Sequence, residues 1–402
     1  MKLDPENGVH LTYCSNIHPG ESWAEVRTQI GRHLPEVRAR LSPDEPFGIG
    51  LRLSAGAAES LSHPAALDEF KSFLGDAGLY VFTINGFPYG PFHGRPVKEN
   101  VYLPDWRDEA RLAYSNRLAD LLTALLPDDP ELDGTISTVP GAFKPEIRME
   151  ADISAMAANL VRHAAHLAGL RQRTGRAVSL ELEPEPCCFL ETIDEAIGFF
   201  RDHLYSPGAV SHMADLTGLS RDDSEAALRC HLGLCLDLCH AAVEFEDPEG
   251  VLPALREAGI RIGKMQISAG LRVPRVDAGT AELLRPFNDD VYLHQVVERS
   301  PSGLRRYADL PQAFAACTGR NEPREWRVHF HVPVFLDDLG RFSTTQDFIR
   351  SILAQHRKAP VTRHLEVETY TWDVLPPEYR TEDVVSAITR ELEWVRGQLV
   401  DA

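Results

Sequence analysis

Short apolar segments alternate with amphipathic stretches along almost the whole chain, and this alternation is the strongest constraint on its fold. Nine segments have the composition of buried strands, and they begin at Val9, Phe47, Leu79, Gly134, Ala177, Leu232, Arg261, Trp326 and His364. The stretches between them, such as "DEARLAYSNRLADLLTALL" from Asp108, carry apolar residues on one stripe, as helices packed on a sheet do. Repeated strand–helix units predict a parallel sheet, and about eight of them predict a closed TIM (β/α)8 barrel.

The length of 402 residues fits one barrel with insertions, so we predict a single domain over residues 1–402. One strand candidate is surplus. We predict that "WRVHFHVP", from Trp326, belongs to a segment inserted before the last strand, because it follows a long unpatterned stretch, 269–325, which we assign as an insertion. The segment 84–106 follows the third strand and mixes Gly, Pro and aromatic residues, which is typical of a long loop that closes over a barrel mouth as a lid.

Composition narrows the class of partner. Acidic residues outnumber basic ones by 60 to 41, and the net charge of -19 disfavours nucleic acid and anionic membranes as partners. No apolar run reaches the length of a membrane span, so we expect no membrane insertion. The seven cysteines follow no disulfide framework and the first residues do not form a signal peptide, so we expect a cytoplasmic protein that acts on a small-molecule metabolite.

Polar side chains recur at alternate positions of the strands, on the parity that faces the barrel interior when the apolar residues face the helices. In "SLELEPEP", for example, Leu180 and Leu182 face outward and leave Glu181 and Glu183 inside, with Glu185 just beyond. Branched aliphatic side chains fill ordinary barrels, so this pattern predicts a functional site. The interior positions are Arg52, Asn85, Glu181, Glu183, Cys235, Asp237, Cys239, Lys264, Gln266, Ser268, His329, His331, Glu366 and Glu368.

Carboxylate, imidazole and amide side chains meet at the carboxyl ends of these strands. Such a mixture suits a divalent cation, Mn²⁺, Mg²⁺, Co²⁺ or Zn²⁺. Each signal also has a structural reading. The two histidines of "HFHVP" could be core residues, Glu366 and Glu368 could pair with Arg363, and the cysteines flanking Asp237 are small core residues rather than zinc ligands.

These residues resemble the xylose isomerase-like barrel superfamily, which includes ketose 3-epimerases and endonuclease-IV-type enzymes. The resemblance implies that Glu183 of "LEPEP", Asp237 of "LDLCH" and Glu368 of "LEVET" bind a metal and that His240 binds substrate. The third metal ligand of those relatives is usually a histidine on the seventh strand, where this chain has Gln266 in "KMQIS", so His329 or His331 would have to supply the imidazole.

Over its full length the chain also resembles the metabolite-traffic protein EboE family, through "HLTYCSNIHPGESW", "NGFPYGPFHG", "KMQIS", "HFHVPVF" and "LEVETYTWDVLP". That resemblance implies a xylose isomerase-like barrel connected with making or moving a secondary-metabolite precursor.

Together these observations favour a metal-dependent isomerase or epimerase that acts on a sugar-like hydroxy-carbonyl compound. Glu183 and Glu368 are the predicted acid/base pair. The predicted metal ligands are Glu183, Asp237, Gln266, His331 and Glu368, and the predicted substrate contacts are His240, Arg52, Asn85, Lys264, His329, Glu185, Tyr89 and His93. A metal-dependent hydrolase or phosphodiesterase of the endonuclease-IV-like branch and a non-catalytic metabolite carrier are the alternatives.

Overall fold

A computed structural model describes residues 1–4, 8–94, 96–317 and 322–400 of the chain. The described strands are β1 Lys2–Asp4, β2 Val9–Tyr13, β3 Phe47–Arg52, β4 Leu79–Asn85, β5 Gly134–Thr138, β6 Val178–Leu182, β7 Leu232–Asp237, β8 Ile262–Ile267, β9 Ala269–Val273, β10 Val296–Ser300, β11 Gly303–Tyr307, β12 Glu325–Val332, β13 Ser343–Thr344 and β14 His364–Val367.

The described α-helices are α1 Trp23–Leu41, α2 Ala55–Leu61, α3 Pro64–Ala77, α4 Glu109–Leu125, α5 Glu150–Thr174, α6 Ile193–Phe199, α7 Pro207–Thr217, α8 Arg221–His231, α9 Leu238–Val243, α10 Pro248–Glu257, α11 Thr280–Leu284, α12 Leu310–Ala316, α13 Gln346–Lys358 and α14 Val384–Leu399. Single turns of other helix types are Ser15–Ile17, Lys98–Tyr102, Lys144–Glu146, Phe200–Leu204, Arg285–Phe287, Tyr370–Val374 and Pro377–Tyr379.

Eight strands form a parallel barrel, which confirms the predicted fold class. They pair in the order β2-β14-β8-β7-β6-β5-β4-β3, every pair parallel. A parallel bridge between Cys14 and Gly50 joins the two outer strands and closes the barrel. The short strand β1 pairs antiparallel with β2. Eight of the nine strand candidates are barrel strands, and the ninth, at Trp326, lies elsewhere.

The inserted segment before the last barrel strand forms its own antiparallel sheet, with the order β11-β10-β12-β9-β13. This sheet contains "WRVHFHV" as β12 and extends from Ala269 to Thr344, so the insertion is longer than the predicted range 269–325. The range 269–325 covers only the stretch up to the start of β12, and β12 was itself predicted to belong to the inserted segment. Residues 318–321 of the predicted range lie outside the described residues.

Local signals explain where the surrounding helices begin. Ser22 and Glu25 form a capping box at the start of α1, which satisfies backbone N–H groups that no helical carbonyl can reach. Helix α14 begins after the N-cap Asp383 and buries an apolar stripe, Val385, Ile388, Leu392 and Val395, at the spacing of one helix face. None of the described helices has an apolar stretch long enough to span a membrane.

The barrel interior holds charged pairs below the strand ends. Arg261 Nη2 donates to Glu181 Oε1 at 2.9 Å, and Lys264 Nζ lies 2.5 Å from Glu366 Oε2. Space for the Glu181 carboxylate depends on glycine in the neighbouring strand, because a Cβ atom on Gly263 would lie 2.0 Å from Glu181 Oε1. Glu366 therefore pairs with Lys264 rather than with Arg363, whose guanidinium donates to the Glu131 carbonyl.

Candidate metal centre

Three carboxylates from three barrel strands meet at the carboxyl end of the barrel. Glu183 follows β6, Asp237 ends β7 and Glu368 follows β14, and one oxygen from each lies within 4.8 Å of the others. All three side chains are buried. Neighbouring parallel strands end at the same edge of a sheet, which is why side chains far apart in sequence converge here.

Hydrogen bonds orient two of the carboxylates. Asp237 Oδ1 accepts from the His240 backbone N–H at 3.0 Å and from Ser268 Oγ at 2.7 Å, because Asp237 is also the N-cap of α9. Glu368 Oε1 accepts from the side-chain amides of Asn16 and Asn85, both at 2.8 Å. These bonds fix which oxygen of each group faces the others.

Two oxygens of the cluster find no hydrogen-bond partner among the described residues, Asp237 Oδ2 and Glu183 Oε2. A buried carboxylate oxygen without a partner is costly, and a divalent cation would satisfy both at once. The residues present therefore fit a metal.

The pKa values of the three carboxyl groups show how unfavourable it is to bury three negative charges together. Burial, followed by the charges of Glu368 and Asp237, raises the pKa of Glu183 well above its ordinary value. Burial, followed by Asp237 and Glu366, does the same to the pKa of Glu368. The pKa of Asp237 is lowered instead, because His240, His331 and its hydrogen bonds outweigh its burial.

Three imidazoles face this cluster, and their Nε2 atoms converge. His240 Nε2 lies 3.0 Å from His329 Nε2, which lies 3.2 Å from His331 Nε2. His240 comes from the first turn of α9, whereas His329 and His331 come from β12 of the inserted sheet. The insertion thus brings two imidazoles to the barrel mouth.

The tautomers of the three rings follow from their other nitrogens. Each Nδ1 faces an oxygen that can only accept: the Pro184 carbonyl at 3.1 Å, Gln295 Oε1 at 2.7 Å and the Glu368 carbonyl at 2.8 Å. The orientation of the Gln295 amide is fixed because its Nε2 donates to the Pro186 carbonyl and to Glu185 Oε1. These oxygens place a proton on Nδ1 of each ring, so in a neutral ring the Nε2 lone pair is directed toward the Nε2 atom of its neighbour.

Converging lone pairs repel unless a cation lies between them. Nitrogen ligands at the usual zinc distance in a tetrahedral site are about 3.3 Å apart, close to the spacings seen here. Burial, followed by the neighbouring histidines, holds the pKa of His329 well below its ordinary value, and burial lowers the pKa of His331 to about 4. Both rings are therefore neutral, as metal ligands must be.

Asp237 belongs both to the group of three carboxylates and to a group that contains imidazoles. Asp237, His240 and His331 form a second group whose ligand atoms lie within 4.8 Å of one another, and Cys239 with His329 and His331 forms a third. The Tyr370 hydroxyl also reaches His329 Nε2, at 3.3 Å. Two neighbouring cation positions, linked by Asp237, are compatible with this arrangement.

Two other predicted residues support the centre from its edges. Glu185 accepts from Tyr102 and Gln295, and its Oε1 lies 3.7 Å from His329 Nδ1. Asn85 binds Glu368, as described above, and also caps the following loop through the Phe87 N–H at 3.1 Å.

Gln266 and Lys264 are both fully buried on β8. Gln266 Oε1 accepts from the Cys235 thiol at 3.0 Å, so its carbonyl oxygen is directed toward β7. Lys264 is bound to Glu366 and reaches Ser137 Oγ at 3.4 Å. Gln266 is paired in register with Asp237 and with Glu366, whereas Lys264 lies two residues earlier on β8.

Arg52, Tyr89 and His93 hold the loops around the mouth. The Arg52 guanidinium binds Glu21 Oε2 at 2.9 Å and the carbonyls of Gly20 and Gly90. His93 Nε2 lies 2.7 Å from the Asn16 carbonyl oxygen, and the Tyr89 ring packs on Tyr114. None of the three side chains lines the central cavity in the described part of the chain.

The cavity above the carboxylates has a volume of about 50 Å³. The predicted loop 84–106 supplies one wall, although its Arg95 lies outside the described residues. The cavity is lined by Asn16, Asn85, Phe87, Pro88, Phe92, Val97, Lys98, Val101, Tyr102, Glu183, Glu185, His240, Tyr292, Leu293, Gln295, His329, Glu368 and Tyr370.

Sequence reasoning missed several of these residues. Tyr370 could have been found, because it continues the parity of Glu366 and Glu368. Gln295 and Tyr292 gave no signal, since they lie in the inserted segment before β10. Glu391 of α14 also escaped notice, although its Oε1 accepts from Val334 N–H at 3.0 Å and Thr369 Oγ1 at 2.7 Å, which ties the ends of β12 and β14 together.

Cation affinity should depend on pH. The raised pKa values of Glu183 and Glu368 mean that a cation displaces protons from these carboxyls, so affinity should rise with pH, by about tenfold per unit for each proton displaced. Without the cation, the free energy of unfolding should change with pH in the opposite direction. Carboxyl groups with raised pKa stabilise the folded state at low pH, and this contribution is lost as pH rises through the raised pKa values. Chelator competition at pH 6 and 8 measures the first effect, and affinity independent of pH would contradict the assignment.

No protein-family model matches this chain, and no curated protein matches it either. Among solved structures it is similar to the probable 3-DHS dehydratase AsbF involved in petrobactin synthesis from Bacillus anthracis, with 13% identity, a TM-score of 0.46 and coverage of 96% of this chain and 97% of that one. It is also similar to the IolI protein, solved with a binding zinc atom, with 13% identity, a TM-score of 0.48 and coverage of 98% and 100%. A xylose isomerase domain protein from Alicyclobacillus acidocaldarius gives 11% identity, a TM-score of 0.44 and coverage of 97% and 98%. The barrel assignment itself rests on the strand pairing described above.

Proposed function

We propose that the protein is a divalent-metal-dependent enzyme of the isomerase or epimerase type that acts on a small hydroxy-carbonyl metabolite. The observation that carries the proposal is the meeting of Glu183, Asp237 and Glu368, with two buried oxygens lacking any partner among the described residues. A bound divalent cation, Mn²⁺, Mg²⁺, Co²⁺ or Zn²⁺, would supply Lewis acidity that makes the C–H between carbonyl and hydroxyl more acidic.

Glu183 and Glu368 are the proposed acid/base pair. They follow β6 and β14, which β7 and β8 separate, so they approach the cavity from two sides. One carboxylate would take the proton from the substrate carbon while the other returns a proton to the opposite face. Asn16 and Asn85 hold the Glu368 carboxylate in position through their amide groups.

The second candidate is a metal-dependent hydrolase or phosphodiesterase. The converging Nε2 atoms of His240, His329 and His331 favour it, because they offer a cation position beside the carboxylates, with Asp237 shared between the two. Paired cations about 3.5–4 Å apart are the arrangement that hydrolytic metal enzymes use to activate water.

Three statements remain predictions from the sequence: that the chain belongs to the EboE family, that it acts in metabolite traffic, and that it is cytoplasmic. All seven cysteines are unpaired, which supports a reducing compartment. A carrier without catalysis would keep the same cavity, so turnover decides between carrier and enzyme.

Solvent isotope exchange tests the proposal. Metal-loaded protein is incubated in deuterated water with a panel of ketoses, inosose-like cyclitols and hydroxy-ketones, and NMR follows deuterium at the carbon beside the carbonyl. We expect exchange by the natural protein, and loss of net conversion by a factor on the order of 10²–10⁴ in Glu183→Gln and in Glu368→Gln. Glu257→Gln, on an exposed face of α10, is the matched control.

Full conversion by either variant would overturn the acid/base pair. Hydrolysis of a chromogenic phosphodiester, with ¹⁸O from water entering the product and no deuterium exchange, would replace the first function by the second. Tight binding of a panel compound with no exchange and no hydrolysis would establish a carrier.

A further inference from the structure

We propose that the ligand of this site has one apolar ring beside its metal-binding oxygen pair, rather than a polyhydroxylated chain. The inference rests on the proposed function and narrows its substrate class. It follows from the contrast between the inner and the outer half of the cavity.

The outer half is built from aromatic side chains of three different segments. Phe87, Phe92 and Tyr102 belong to the loop after β4, Tyr292 to the inserted segment and Tyr370 to the turn after β14. The rings of Phe92, Tyr292 and Tyr370 contact one another, with centroids 5.0 to 5.3 Å apart. The loops that follow the strands therefore place an aromatic wall above the carboxylates.

Apart from the Tyr292 hydroxyl, the polar side-chain atoms of this wall have partners among the described residues. The Tyr102 hydroxyl donates to Glu185 at 3.1 Å, and the Tyr370 hydroxyl lies 3.3 Å from His329 Nε2. Lys98 Nζ binds the carbonyls of Asp289 and Tyr292 and the Asp309 carboxylate, at 2.6 to 3.2 Å. A polyol chain in this half would bury hydroxyls without partners from these groups, which is unfavourable.

The wall is preformed. Glu21 Oε1 accepts from the backbone N–H groups of Phe92 and His93, at 2.6 and 3.1 Å, while its Oε2 is held by Arg52. At the other end of the loop, the Val97 and Lys98 N–H groups donate to the Val291 carbonyl. A fixed aromatic surface selects a flat apolar body by stacking.

Three metal-binding probes with one chelating group test the proposal. Acetohydroxamate, benzohydroxamate and gluconohydroxamate share the hydroxamate oxygen pair and differ in a methyl, a phenyl and a polyhydroxylated body. Calorimetric affinities for Zn²⁺-loaded full-length protein are divided by each probe's affinity for free Zn²⁺. We expect benzohydroxamate to bind about tenfold or more tightly than the other two.

Variants of the aromatic wall test whether it causes the preference for benzohydroxamate. Phe92→Ala and, separately, Tyr292→Ala should remove most of the benzohydroxamate preference while leaving the acetohydroxamate affinity within about twofold. Phe73→Ala, on α3 away from the cavity, is the matched control, and retained zinc content shows that each variant is folded around its centre.

Equal affinities for all three probes, or the tightest binding by gluconohydroxamate, would overturn the ring-bearing ligand while leaving the metal centre intact. The same holds if zinc-containing protein binds none of the probes. Protein that retains no zinc would instead overturn the proposed function, and the ligand inference with it.

Discussion

Replacing Asp237 by Asn is expected to lower the affinity for a divalent cation by roughly 10²- to 5 × 10³-fold. This range corresponds to the loss of about 3–5 kcal/mol that follows removal of one partner of a buried charge pair. Asp237 is the member common to the carboxylate group and the imidazole group, and its Oδ2 has no other partner among the described residues. The amide keeps the N-cap and the approximate shape but loses the charge. Competitive chelator titration measures the change.

Asp247→Asn provides the matched control, because Asp247 is also the N-cap of a helix, α10, but lies outside the cavity. His240→Ala should lower the affinity less than Asp237→Asn, since it removes a neutral ligand or a substrate contact rather than a charge. Unchanged affinity in Asp237→Asn would show that the carboxylates do not form a cation site.

Removing Lys264 is expected to cost about 3–5 kcal/mol in the free energy of unfolding, because it leaves the Glu366 carboxyl buried without its cation. Lys264 Nζ and Glu366 Oε2 are 2.5 Å apart, and both side chains are almost completely buried. Although burial lowers the pKa of Lys264, Glu366 raises it above its ordinary value, so the ammonium form is present at neutral pH. Urea denaturation of Lys264→Met at pH 7 measures the loss.

The double variant Lys264→Met/Glu366→Met should recover most of the lost stability, since two apolar side chains of similar length leave no unpaired charge. Arg229→Met, which breaks the exposed Arg229–Glu225 pair, should cost less than about 1 kcal/mol. A loss in Lys264→Met no larger than in Arg229→Met would contradict the structural role of the buried pair.

The barrel and its three carboxylates could be predicted because the signals are local. A strand of alternating apolar and polar residues shows which side chains face inward, and a parallel barrel brings all strand ends to one rim. Glu183, Asp237 and Glu368 needed no knowledge of the loops between them. The presence of an inserted strand was also visible, because nine candidates exceeded eight places.

The imidazoles of the site and the roles of the surrounding residues could not be predicted, because they depend on contacts between distant segments. The docking of β12 on the barrel brings His329 and His331 to the centre, and no local pattern encodes that docking. Arg52 was placed correctly in the interior, but its partner Glu21 lies in the loop before α1, so its predicted substrate role was not distinguishable from a loop anchor. Alternation shows which side of a strand a residue faces but not its depth in the barrel, so Lys264, which is bound to Glu366, could not be separated from the residues at the strand ends.

The most direct test of the central claim is an anomalous difference map at the zinc absorption edge from crystals of the zinc-loaded protein. A bound cation here predicts a strong peak about 2.0–2.6 Å from Asp237 Oδ2 and Glu183 Oε2, with Glu368 or the Nε2 atoms of His240 and His331 completing the ligand set. The absence of a peak among these residues, or a peak only on exposed side chains, would contradict the claim.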